Sequence, residues 1–276
     1  MGEVIPFPGE YQRTLAAAER IGWDALMEVT ARYGDGYPDS ELVPDIEPLS
    51  YHNMQHTMRV RDHTRQMAQA TGLSEHGTTM AVLAASAHDI VHGGHGKSTG
   101  ENERASAAWL EELMRQDGFP EADIRACTRA ILGTEPLIAD GLMIGQAARA
   151  ADYEMEEERL IALSVACADM ADLYQPYGPL LGLDLYKEGR DVQDDKDISL
   201  LDYWQFHKSQ LHLLYTYQYP HPAGEQLFGG LRERVIAHQE AVYSGLKNRQ
   251  ITSWQQLVEL QEVFANSFNH SDHFER

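Results

Sequence analysis

Apolar residues return at helical spacing along most of this chain, and no run of alternating β-branched and polar residues is long enough to make a strand. The pattern is clear over residues 10–33 (Leu15, Ile21, Leu26, Val29) and 51–70, where it stops at Gly72. It restarts after Ser74, a good N-cap, into the Ala-rich run MAVLAASAHDIVH, which has no polar face and reads as buried. After the glycine-rich loop GGHGKSTG, residues 101–116 form an amphipathic segment ended by Gly118, and Pro120 opens another that ends at Gly133. Further helices are predicted over 142–155, 157–174, 200–217, 226–246 and 253–268, with the acidic stretch KEGRDVQDDKD read as a loop between them.

The expectation is an all-α bundle of one domain over residues 1–276, with a core at 51–175 and a helical extension at 199–268. The acidic loop at 191–197 is the alternative boundary, read here as a surface excursion. A net charge of −21 without a basic patch argues against nucleic acid as a partner. No window approaches the roughly 20 uncharged apolar residues of a membrane span. Cys127 and Cys167 lie in apolar helical surroundings and read as buried thiols of a reducing compartment. The first residues carry no basic and apolar leader pattern, so the expected location is the cytoplasm. A chain of this length fits a monomer or a homodimer.

Seven of the 13 histidines fall between His52 and His95. His52 and His56 are spaced for one face of a helix, and His88 and His92 repeat the spacing at the end of the buried run, with Asp89 beside His88. Two helices so marked can aim imidazoles at one spot, and neutral imidazoles with a carboxylate suit a divalent first-row metal. His63 and His76 lie outside the pairs and read as hydrogen-bonded structural residues.

The segments Tyr51-His52-Asn53-Met54-Gln55-His56, Ala87-His88-Asp89-Ile90-Val91-His92-Gly93 and Ala166-Cys167-Ala168-Asp169-Met170 together resemble the metal-dependent HD phosphohydrolase superfamily. Within it the chain is most similar to the catalytic domains of class I cyclic nucleotide phosphodiesterases, which carry YHNxxH, HDxxHxG and a CAD element on an all-α fold. The resemblance implies two divalent ions (Mn, Mg, Zn or Fe). His56, His88, Asp89 and Asp169 would hold the tighter one and Asp89 would bridge to the second, with Asp172 the fallback for the third motif. It implies a hydroxide between the ions as nucleophile, His52 as the general acid, His92 holding waters of the second ion, and Glu103 beside Asn102 supporting that network. Tyr51, Asn53 and Gln210 are expected to contact the substrate, a small phosphoester such as a cyclic nucleotide.

The sequence departs from that family at the base-binding pair: Lys208-Ser209-Gln210 is followed by Leu213 where a phenylalanine is usual, and Gln261 with Phe264 lies far from the family spacing. Base specificity does not carry over. Gly96-Lys97-Ser98 is no phosphate loop, because the first glycine of that motif would fall on Val91 and no strand precedes it. Lys97, Arg104, Arg59 and Arg61 are candidates for local positive charge. Three alternatives stay open: a nucleotidase, an HD-type di-iron oxygenase and a silent metal-binding sensor. The oxygenase needs extra histidines, and none occurs between Gly96 and Phe206. A sensor usually lacks one of the core residues, and here all are present.

Overall fold

A computed structural model describes residues 8–36, 49–92, 100–192 and 194–268. Among them are eleven α-helices and one two-stranded sheet. In order these are α1 (Pro8–Tyr33), α2 (Met54–Thr71), α3 (Glu75–Ala87), α4 (Glu101–Gln116), α5 (Glu121–Leu132), β1 (Pro136–Ala139), β2 (Leu142–Gln146) and α6 (Glu156–Asp169). Then follow α7 (Gly178–Arg190), α8 (Leu200–Thr216), α9 (Pro222–Phe228), α10 (Arg232–Lys247) and α11 (Trp254–Asn266). The all-α expectation holds.

The caps read from the sequence act as expected. Ser74 accepts a hydrogen bond from the Gly77 backbone N–H at 2.9 Å, and Gly72 closes α2 at a φ of 72°. The Ala-rich run becomes α3, with Ala81, Ala84, Ala85 and Ala87 fully buried. It packs against α1, α2, α5 and α6, and its small side chains let those helices approach on every side. Helix α6 is buried from Ile161 to Ala168. Cys127 and Cys167 are free, buried thiols whose pKa values burial drives upward. A second cluster, including Met67 of α2, Cys167 of α6, Leu214 of α8 and Val235 of α10, packs the C-terminal helices onto the core. A third, around Tyr186, Tyr203 and Trp254, ties α7 and α8 to α11.

Four expectations about elements are corrected. Residues 142–155 are not helical: Leu142–Gln146 is a strand paired antiparallel with Pro136–Ala139. The turn between them, Asp140-Gly141, has both residues at positive φ (51° and 76°), the mirror-image geometry that suits the twist of a hairpin. KEGR belongs to α7 rather than to a loop. The helix expected over 226–246 is two, α9 and α10. The buried run ends as a helix at Ala87, so His88 and His92 do not share a helical face; nor do His52 and His56, because α2 begins at Met54.

Candidate metal centre and adjoining pocket

Three helices bring four donor atoms together. His56 stands in the first turn of α2, His88 caps α3 with Asp89 next to it, and Asp169 is the last residue of α6. His56 Nε2 lies 3.4 Å from His88 Nε2, 3.4 Å from Asp89 Oδ2 and 3.5 Å from Asp169 Oδ1. His88 Nε2 is 2.9 Å from Asp89 Oδ2 and 3.6 Å from Asp169 Oδ1. Ligands about 2.1 Å from one small divalent ion stand roughly 3.0–3.5 Å from each other, so the separations among His56, His88 and Asp169 fit a shared ion, with Asp89 Oδ2 beside both imidazoles. The imidazoles are 1% exposed, whereas the carboxylates, at 17% and 19%, face outward.

Hydrogen bonds behind the donors fix their orientation. His88 Nδ1 donates to the Ala85 carbonyl at 2.8 Å, which leaves Nε2 turned to the other donors. Gln146 Nε2 donates to Asp169 Oδ2 at 3.0 Å, and Tyr217 OH donates to Gln146 Oε1 at 2.9 Å. Burial alone would drive Asp89 up and His88 down. The His88 charge and hydrogen bonds from His56 and His88 instead hold Asp89 well below the usual range, while Asp89 and Asp169 raise His88. Asp169 is lowered for the same reason, through His56 and His88. A site so rich in electron-pair donors and negative charge suits a divalent cation.

Beside this set, His52 Nδ1 donates to Glu188 Oε1 of α7. The backbone N–H groups of Tyr51 and His52 both donate to Glu188 Oε2 at 2.9 Å. The Glu188 side chain is only 3% exposed. Burial would raise its pKa, but the His52 bond and charge and the two N–H groups bring it down to about 2. Glu188 in turn raises His52 against the cost of burial. His92 stacks on His52, with ring centroids 3.8 Å apart and planes 20° from parallel. Burial and the His52 charge lower His92 to about 4. His52, His92 and Glu188 also cluster closely enough to suggest a metal site. The stacking argues against it: a metal lies in the plane of each imidazole it binds, and nearly parallel planes offset by a ring thickness do not meet at bonding distance.

A cavity of about 560 Å³ opens beside the donors, and Tyr51, His52, His92, Glu103, Asn102 and Gln210 all line it. Burial raises the Glu103 carboxyl, and Asp89, Glu135 and Asp169 add to the effect. Asn53 is buried as the N-cap of α2, accepting from the Gln55 and His56 N–H groups and donating to the Leu49 and Ser50 carbonyls. Its side chain therefore shapes the Tyr51–His56 turn rather than meeting a substrate. Asp172 is held by Arg59 Nε at 2.7 Å, His63 Nε2 at 3.2 Å and Tyr177 OH at 3.0 Å, so Asp169 is the carboxylate of the third motif that faces the imidazoles. His76 pairs with Asp123. Arg61 sits over the Trp23 ring, and Gln261 is buried against His238 and Gln239. Gly93, His95, Lys97 and Ser98 lie outside the described residues.

Glu188, Gln146 and Tyr217 are the contributors that sequence reasoning missed. Asp140-Gly141 between two apolar runs was a readable hairpin signal, and the spacing of Leu180, Leu183 and Tyr186 a readable helical one. Comparison with protein-family models, curated proteins and solved structures found no match.

Proposed function

We propose that this chain is a divalent-metal-dependent phosphohydrolase that cleaves a small phosphodiester. The observation that carries the reading is the convergence of His56, His88, Asp89 and Asp169 beside a cavity that Asp89, Asp169 and His52 line, with Glu188 holding His52 from behind. Divalent ions held by His56, His88, Asp89 and Asp169 would activate water at neutral pH and offset the charge that grows on the phosphoryl oxygens. His56 and His88 offer lone pairs from a dry floor, and Asp89 and Asp169 turn carboxylates toward the cavity. Glu188 fixes the proton on His52 Nδ1, which leaves Nε2 as the atom that carries a proton to the leaving oxygen. His92, neutral beside a charged His52, limits the positive charge at that edge of the pocket. Glu188 raises His52 and so favours its protonated, acid form.

The test is chromatographic product analysis after incubating the purified protein, with manganese or magnesium added, with bis(4-nitrophenyl) phosphate, cyclic AMP, cyclic GMP and nucleoside monophosphates. Metal-dependent release of a monoester from a diester is expected. Phosphate release from monophosphates alone would move the protein to the nucleotidase class, and no metal-dependent hydrolysis would overturn the proposal.

A further inference from the structure

We infer that the organic group of the substrate is a bulky apolar one, alkyl or aryl, rather than a nucleoside. The inference rests on the phosphohydrolase reading and concerns the part of the cavity away from its metal donors. Hairpin residues Leu142 and Met143, Leu181 and Leu185 of α7, and Phe206 and Leu213 of α8 line the cavity. Ile138, half exposed on β1, extends the same apolar wall.

The polar side chains on these walls are already engaged within the protein. Thr134 Oγ1 donates to the Ile131 carbonyl at 2.8 Å. The Gln239 amide donates to Gln261 Oε1 at 3.2 Å, and its own Oε1 accepts from Gln261 Nε2 at 3.5 Å. Gln210 Nε2 donates to the Gly182 carbonyl at 3.5 Å, and the same side chain hydrogen-bonds the buried His207. Gly182 leaves room for that amide: a Cβ there would sit 2.9 Å from Gln210 Nε2. Tyr51, Asn102, Glu103 and the exposed Ser209 also line the cavity, Glu103 being close enough to feel Asp89 and Asp169. Along these walls, among the described residues, ribose hydroxyls and base edges would give up water for few partners, at a cost of roughly tenfold or more in affinity for each group left unpaired. A pocket that selects a substrate by its hydroxyl and amide groups presents uncommitted partners for them; among the described residues, these walls present mainly apolar surface.

The test is a homologous series of n-alkyl 4-nitrophenyl phosphodiesters, methyl to octyl, turned over by the manganese-loaded protein, with cyclic AMP and cyclic GMP alongside. Expected is a climb in kcat/KM of up to about fourfold per methylene until the pocket is filled, with the octyl ester exceeding both nucleotides. Leu213→Asn flattens the climb, and so does Ile138→Asn, placed on the exposed hairpin where it spares the core. A flat series, or preference for either nucleotide, overturns the inference. Absence of hydrolysis throughout marks failure of the phosphohydrolase reading instead. Calorimetric binding of octylphosphonate against methylphosphonate to the manganese-loaded protein then decides: tighter octyl binding upholds the inference, and equal binding overturns it.

Discussion

Gln146 Nε2 donates a 3.0 Å hydrogen bond to Asp169 Oδ2 and so turns the other carboxylate oxygen toward His56 and His88. Tyr217 OH holds Gln146 from behind at 2.9 Å, so a strand and the residue that ends α8 together orient a donor at the end of α6. Gln146→Leu is expected to weaken metal binding about 10- to 100-fold in a chelator competition. Tyr217→Phe should lower it less, because Gln146 keeps its bond to Asp169.

Removing a donor and removing the acid should separate cleanly. Asp89→Ala is expected to lose bound metal, read by elemental analysis, together with activity. His52→Ala should keep the metal and lose about 10²- to 10⁴-fold in kcat. Unchanged turnover in either variant would contradict the assigned roles.

The His52–Glu188 pair makes a pH prediction with a definite sign. Glu188 raises His52, so the protonated acid persists below that raised value and is lost as pH rises through it. In Glu188→Gln the basic limb of the kcat profile should move to lower pH. Stability moves the other way along the scale. Glu188 falls from an ordinary 4.5 to about 2 on folding, so its stabilisation is complete above about 4.5 and disappears as pH falls toward 2. Urea titrations of the wild type and Glu188→Gln should therefore differ at neutral pH and converge in that acid window.

Asp172→Asn tests the third motif. Its carboxylate pairs with Arg59 and His63 rather than with the metal donors, so the variant should retain its metal while losing about 1–3 kcal/mol of stability in denaturant titrations. Loss of stoichiometric metal would make Asp172 a ligand after all.

Local chemistry made much of this protein legible from its sequence. Ser74 and Gly72 bound their helices as read, and the Ala-rich run before His88 is the buried centre of the bundle, because capping and periodicity are properties of neighbouring residues. The residue types gathered at His56, His88, Asp89 and Asp169 were likewise readable. Their orientation was not. His52 was expected on the face of His56, but α2 starts too late for that, and His52 stacks instead on His92.

Its other partner, Glu188, is 136 residues away on a helix whose last turn looked like part of an acidic loop. Nothing near His52 encodes that contact; it exists because α7 packs where its carboxylate meets the Tyr51–His52 backbone. The sequence by itself determined most of the helices, their caps and the residue types of the donor set. Which nitrogen faces which carboxylate, and which residues back them, was decided only when helices distant in the chain packed together, because those contacts depend on side-chain direction across the core rather than on spacing along the chain.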